Sequence, residues 1–242
     1  MAHGYPDYGV AAPKVTVYSL QDMAELAARL GSINTFDRRG DVVWMDDFEH
    51  GIVKWHTSAS GTGNNHEDST EAARSGSHSL KLTAGSTADR YYLIDHYRPL
   101  PVTTRVGFEF SFALPSGAEY VYWACRFYTG AQQVFGYLRY IPNDNKIQYQ
   151  NQAGTWVDVI TSHKLSEATY LFNTVKVVVD YNTQEYIRIL ANARMASLAG
   201  LSLRTLSSAA GPYAVFEIMV QSFAGTNKII YVDDVIITQN EP

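Results

Sequence analysis

From about residue 42 onward, apolar side chains recur at every second position. In TTRVGFEFSFAL, Val106, Phe108, Phe110, Phe112 and Leu114 alternate with Arg105, Glu109 and Ser111; in FNTVKVVVDY, Val175, Val177 and Val179 do the same. A period of two places such residues on one face of an extended strand. Comparable stretches lie near 77–84, 90–97, 119–129, 133–141, 146–151, 155–160, 185–191, 215–223 and 229–237. The turn-forming sequences LPSG, IPNDNK, NQAG, DYNTQ and AGTNK separate them. Roughly a dozen short strands without strand–helix alternation predict an all-β, antiparallel jelly-roll sandwich. Two stretches fall outside the pattern: a polar loop at 58–78 and a small-residue excursion at 195–213.

The first 41 residues behave differently. Residues 1–18 are rich in Gly, Pro, Tyr and Ala and predict an extended arm carrying Tyr5 and Tyr8. SLQDMAELAARLG predicts a helix over 19–30, with Ser19 as N-cap, Asp22 in the first turn and Gly31 as the stop. Leu20, Met23, Ala27 and Leu30 share one face of it. A helix this short is unstable alone, so that stripe must dock, either on its own domain or on a neighbouring subunit. The expected organisation is an arm and helix over 1–41 and one sandwich over 42–242.

Composition narrows the function. The chain has 242 residues, 46% of them hydrophobic and 18% charged, with a formal net charge of -5. No basic run is present, so a nucleic-acid partner is not expected. Cys125 is the only cysteine, which excludes an internal disulfide and a cysteine metal cage; its place between Trp123 and Phe127 predicts an inert core thiol. No stretch approaches the ~20 apolar residues of a membrane span. The N-terminus lacks the basic start and apolar run of a secretory signal, so synthesis in a cytoplasm is expected, with secretion as the alternative if a signal has been removed.

Two acidic pairs stand in apolar surroundings. WMDDFEHGIVKW holds Asp46, Asp47 and Glu49, and IIYVDDVIIT holds Asp233 and Asp234. Strict alternation would put Ile230, Val232, Asp234 and Ile236 on one face of the last strand, and Tyr231, Asp233, Val235 and Ile237 on the other. Both faces are then apolar, so a carboxylate there must be paired, hydrogen-bonded or metal-bound. Several carboxylates with backbone carbonyls suit calcium; acids that cap turns or accept backbone N–H groups are the alternative. If the first and last strands are neighbours, Asp47 or Glu49 comes beside Asp233 or Asp234.

DDFEHGIVKW, EAARSGSHSLKL and YVDDVIIT together resemble the signature of jelly-roll carbohydrate-binding modules. That resemblance implies a structural calcium joining first and last strands, held by Glu49, backbone around Ser77 to Ser79, and Asp233 or Asp234, with Asp47 a weaker ligand. His50 departs from the Asp or Glu of many members. TVKVVVDYNTQEYIRILANARM is similar to the hairpin of concanavalin- and laminin-G-like sandwiches. Sandwiches of this kind also serve in bacteriophage structural proteins, so the motifs specify fold better than function.

The middle strands carry an aromatic and polar face. Tyr120, Tyr122, Tyr128, Tyr137 and Trp156, with Arg126 and Arg139, would form one platform if their strands are neighbours. Such a surface suits sugar rings, a protein interface, or plain packing under loops. The histidines show no metalloprotease spacing, and no nucleophile elbow, P-loop or dinucleotide fingerprint occurs. Glu109 and Glu217 are conceivable as a glycosidase carboxylate pair. The expectation drawn from all this is a non-catalytic assembly protein, a bacteriophage virion component such as a capsid-surface or tail protein. It would form homo-oligomers or meet other virion proteins through its arm. The alternatives are a carbohydrate-binding module and, behind it, a glycoside-active enzyme.

Overall fold

The computed structural model describes residues 39–99, 104–115, 117–223 and 225–242. The arm and helix, with Tyr5, Tyr8, Leu20, Met23 and Leu30, lie outside these residues. Sixteen strands follow: β1 (Asp41–Asp46), β2 (His56–Ser60), β3 (Asn65–Ser69), β4 (Ser79–Ala84), β5 (Tyr91–Arg98), β6 (Arg105–Ala113), β7 (Tyr120–Tyr128) and β8 (Gln132–Ile141). After a 3-10 turn at Pro142–Asp144 come β9 (Lys146–Gln150), β10 (Trp156–Ile160), β11 (Asn173–Asp180), β12 (Glu185–Ala191), β13 (Arg194–Ser202), β14 (Arg204–Ser207), β15 (Tyr213–Gln221) and β16 (Lys228–Gln239).

They form two antiparallel eight-stranded sheets. The first runs β13-β12-β11-β6-β16-β4-β3, with β1 also on β16; the second runs β10-β9-β8-β7-β15-β5-β2, with β14 also on β8. Each sheet therefore has one long strand whose edge is shared end to end by two short ones. Strand β16 pairs with β4 over Lys228–Val232 and with β1 over Val235–Gln239. The opening and closing strands of the sandwich are thus direct neighbours.

Between the sheets lies a single large core. Phe108, Phe110 and Phe112 of β6 face Trp123 of β7 and Phe216 of β15, with Phe110 edge-on to Trp123 at 6.0 Å and Phe108 5.3 Å from Phe216. Cys125 is buried in this core, as its position between two large apolar residues predicts. The four extra strands relative to the dozen predicted come from the polar loop and the small-residue excursion, which hold the end of β2, all of β3, most of β13 and all of β14. β2, β3 and β13 are edge strands and mostly exposed. An edge strand solvated on both faces has no apolar alternation to betray it.

Strict alternation in β16 is also corrected. Its pairing with β6 shifts register between Asp233 and Ile236, and Asp234 takes a left-handed φ of 48°. This bulge flips the parity. Ile230, Val232, Val235 and Ile237 all reach the core, whereas Tyr231, Asp233, Ile236 and Thr238 face outward.

That outward face of the first sheet holds a buried ionic network. Lys176 Nζ lies 2.8 Å from Glu241 Oε1 and 3.9 Å from Glu109 Oε2, and Arg188 pairs with Glu241 Oε2. Thr238 Oγ1 donates to Glu241 Oε1 at 2.5 Å. Gly107 sits beneath; a Cβ there would collide with Thr238, Glu241 and Lys176.

Candidate functional site

The first acidic cluster is built around the loop Arg74–His78. Asp233 Oδ2 accepts the backbone N–H groups of Arg74 (2.7 Å) and Ser75 (3.2 Å), and its Oδ1 accepts that of Asp234 (2.8 Å). Ser75 Oγ donates to Asp234 Oδ1 at 2.6 Å. From the other side, Glu49 Oε1 accepts the N–H groups of Ser77 and His78, each at 2.6 Å, while Ser77 Oγ donates to Oε2 at 3.0 Å. Gly76 has a φ of 60° and leaves no room for a Cβ beside Glu49. Asp47 Oδ1 accepts the Glu49 N–H at 3.2 Å. Asp46 lies apart, binding Lys54 Nζ at 2.6 Å and Trp55 Nε1 at 2.9 Å.

One loop therefore ties the segment after β1 to β16 through carboxylates that accept backbone donors. Burial pushes Asp233 up to about 7, the Asp234 charge adding to the rise. Burial pushes Asp234 up to about 6, opposed by Ser75 and Arg74, with Asp47 adding to it. The donors fit calcium in kind, being hard oxygens, and Asp234 Oδ2 is buried without a hydrogen bond. Among the described residues, no three acidic, His or Cys side chains converge closely enough to hold a metal as arranged. Glu49, Asp47, Ser77, Asp233 and Asp234 meet at one loop, then, with hydrogen bonds as the visible link.

The second cluster lies on the outer face of the second sheet. Cross-strand register aligns His56, Asp95, Glu217, Ala124 and Tyr137 across β2, β5, β15, β7 and β8. A parallel line holds Leu93, Met219, Tyr122, Arg139, Gln148 and Asp158. Alternation puts all of these away from the core, because their neighbours Ile94, Trp123, Leu138 and Ile218 face inward. Ala124 is the small member between Glu217 and Tyr137, and a hollow opens above it. The resulting cavity, about 320 Å³, is walled by Tyr91, Leu93, Tyr122, Tyr137, Gln150, Trp156, Arg204, Glu217 and Met219.

All seven predicted platform residues share this face, in two groups. Tyr120, Tyr122, Arg139 and Trp156 stack together: Arg139 Cζ sits 4.4 Å from the Tyr120 ring centre and 4.3 Å from that of Trp156, and Tyr122 meets Trp156 edge-on at 5.6 Å. Arg139 Nε also donates to Gln148 Oε1 at 2.8 Å. At the other end, Arg126 Nη1 donates to Tyr128 Oη at 3.0 Å, and Tyr128 packs on Tyr213 at 4.6 Å. Tyr137 stands beyond Ala124, between the groups.

Glu217 is the chemical centre of the hollow. It is only 6% exposed, and Arg126 Nη2 donates to its Oε1. Burial pushes its carboxyl up to about 7, the Arg126 charge pulling against the rise and Asp95 adding to it. Tyr137 is pushed up to about 12, by burial first and then by the Glu217 charge. Asp95 is raised by burial, and its Oδ1 is buried without a hydrogen bond. An acid that keeps its proton near neutrality, opening onto an aromatic-walled hollow, is equipped to donate that proton to a bound oxygen.

The pairing of Glu109 with Glu217 does not occur. Glu109 belongs to the first sheet and is locked beside Lys176, because β6 and β15 lie in opposite layers. The carboxyl opposite Glu217 is Asp95, directly across on β5, with β-carbons on the order of 5 Å apart. Asp95 and Arg204 escaped the sequence reading. A charged residue inside the aromatic strand YYLIDHYR was a usable signal for Asp95; Arg204, in the small-residue excursion, gave none.

No family model and no curated protein matches the chain. Solved structures do match, and they define the fold as a jelly-roll, galectin- or concanavalin-like sandwich. A carbohydrate esterase from the Shiga toxin-encoding bacteriophage phi24B superimposes with a TM-score of 0.59 at 12% identity, covering 84% of this chain and 100% of that one. An endo-beta-1,4-glucuronan lyase from the fungus Trichoderma reesei gives 0.54 at 13% identity, covering 82% and 96%. The cellulose induced protein Cip1 gives 0.54 at 14% identity, covering 81% and 96%. The expectation of a non-catalytic chain is thereby corrected. Structures of this fold include a lyase and an esterase, and the motifs read from sequence report strand pairing at the clamp while staying silent about the opposite sheet.

Proposed function

We propose that this chain is a carbohydrate-active protein that binds a glycan along the outer face of its second sheet, where Glu217 donates a proton to a glycosidic oxygen as its C–O bond breaks, water adding to the other fragment and returning the proton. The observation carrying this reading is a buried, protonatable carboxyl opening into a cavity walled by Tyr122 and Trp156. Aromatic rings suit the C–H faces of sugars, and Gln150 and the tyrosine hydroxyls suit their hydroxyl groups. Arg126 holds one Glu217 oxygen and so fixes the direction of the carboxyl. The test is a panel of soluble polysaccharides assayed by affinity electrophoresis and by release of new chain ends. Tyr122→Ala with Trp156→Ala should weaken binding at least tenfold, about 1.4 kcal/mol. Glu217→Gln should leave binding in place and slow product release by about 10²–10⁴. A folded protein that binds no polysaccharide and releases no product overturns the reading.

A second reading concerns setting. Likeness to a bacteriophage carbohydrate esterase supports a virion component on the capsid surface or tail, meeting glycans with this same face. Residues 1–41 would then join copies of the chain or other virion proteins. Deleting residues 1–34 should leave a folded monomer and abolish assembly in light scattering; unchanged particle size removes this reading.

A further inference from the structure

Among the described residues, three guanidinium groups reach the outer face of the second sheet, and they are not equivalent. Arg126 is already engaged, donating to Glu217 Oε1 and Tyr128 Oη. Arg139 is stacked between Tyr120 and Trp156 and donates to Gln148 and Tyr122. Arg204 stands at the wall of the cavity itself. Its Nη1 donates to Gln150 Oε1 at 3.3 Å, and its Cζ lies 5.9 Å from the Phe135 ring centre.

The turn at Asn151–Thr155 backs this arginine. Gly154 has a φ of 83°, and a Cβ there would stand 3.2 Å from Arg204 Cζ. The guanidinium is thus held in place by a ring, a turn and an amide, all uncharged. Its neighbours leave donors of the planar fork for a ligand, and a fork of that geometry matches a carboxylate.

Charge sharpens the point. The chain carries 24 acidic against 19 basic side chains, so a positive spot is not a by-product of overall composition. The other acids of this face are committed elsewhere: Glu217 to Arg126, and Asp158 to Gln148 and Lys146. Asp95 stands behind Glu217, one strand farther from Arg204.

We infer that the cavity takes a sugar bearing a carboxylate, with Arg204 forking that group between Gln150 and Tyr137. The ligand class is an acidic glycan, a polymer of uronic acid units, in preference to a neutral glucan. This rests on the carbohydrate reading of the same face, and the experiment separates the two.

Full-length protein is titrated with a polyuronate, with the same polymer after chemical reduction of its carboxyl groups, and with dextran sulfate, each at low and moderate salt. The polyuronate should bind at least tenfold more tightly than its reduced form, with affinity falling as salt rises. Arg204→Ala should erase that preference, weakening the polyuronate at least tenfold more than the reduced polymer; Arg204→Lys should restore part of it. Matching melting temperatures establish that the variants are folded. Equal binding of the reduced polymer, or a preference that survives Arg204→Ala, overturns the inference while the carbohydrate reading stands. Dextran sulfate binding as tightly as the polyuronate overturns the carboxylate assignment. Binding of none of the polymers overturns both.

Discussion

Asp233 and Glu217 are both buried strand carboxyls held up to about 7, yet their surroundings oppose each other. Asp233 accepts three backbone N–H groups, and the loop that supplies them closes over it. Glu217 receives one side-chain donor and opens into a cavity. A carboxylate satisfied by backbone amides spends its acceptor capacity on holding chain segments together. One that is left partly unsatisfied beside open space keeps capacity for a visitor. Burial and shifted acidity alone do not separate an adhesive acid from a working one; the direction in which the acid's free oxygen faces does.

The largest break of this comparison comes from Asp233→Ala. It strands the amides of Arg74, Ser75 and Asp234 and should cost about 3–5 kcal/mol, read as a lower denaturant midpoint at constant slope. Glycan binding by the folded fraction should be unaffected. If Glu217→Gln costs as much stability as Asp233→Ala, the division into a clamp and a working site fails.

Much of this molecule is readable from its sequence where apolar burial is one-sided. Phe108, Phe110 and Phe112 alternate because only one face of β6 meets the aromatic core, and the chain reports that directly. The platform residues were legible for the same reason. The clamp was legible through its motif, which states strand neighbours although it does not state what fills the gap between them. Three things were hidden. The strands β3, β13 and β14 lie where little apolar surface is buried, so no period marks them. The bulge at Asp234 leaves the residue types of β16 compatible with either parity. The cavity depends on Ala124 standing between Glu217 and Tyr137, a non-local fact of register between β15, β7 and β8. Glu109 and Glu217 are alike on paper, and only strand order puts them on opposite layers.

A pH titration sharpens the contrast next. The Glu217 carboxyl has a folded value raised from 4.5 to about 7, so the folded protein binds more protons than the unfolded chain between those limits. Its contribution therefore makes stability fall as pH rises from about 4.5 to about 7 and level off above, by no more than about 3 kcal/mol. Below 4.5 the group is protonated in both states and contributes no slope. Glu217→Gln should flatten that part of the profile in urea titrations across the range. A slope identical to wild type would show that Glu217 is ionised throughout, and would remove it as a proton donor at neutrality.

The smallest effect probes the one oxygen at which the clamp resembles the cavity. Asp234 Oδ2 is buried without a hydrogen bond, beside Asp47 and 3.9 Å from Arg74 Nε. We propose that calcium draws Asp47, Glu49, Asp233 and backbone near Ser77 in around this oxygen, since among the described residues no three such side chains converge on it as arranged. A cation would lower the raised carboxyls and reverse the local repulsion. Saturation at a hundredfold above Kd stabilises by about 2.7 kcal/mol. Dialysis against EDTA should therefore lower the melting temperature by several degrees, calcium should restore it, and magnesium should not. Asp234→Asn should abolish the response, while Glu217→Gln should leave it intact, since the cavity lies in the other sheet. An unchanged melt after chelation leaves the clamp an assembly of acids and amides alone. The contrast with Glu217 would then be complete, one carboxyl cluster closed by the chain itself and the other waiting for a ligand.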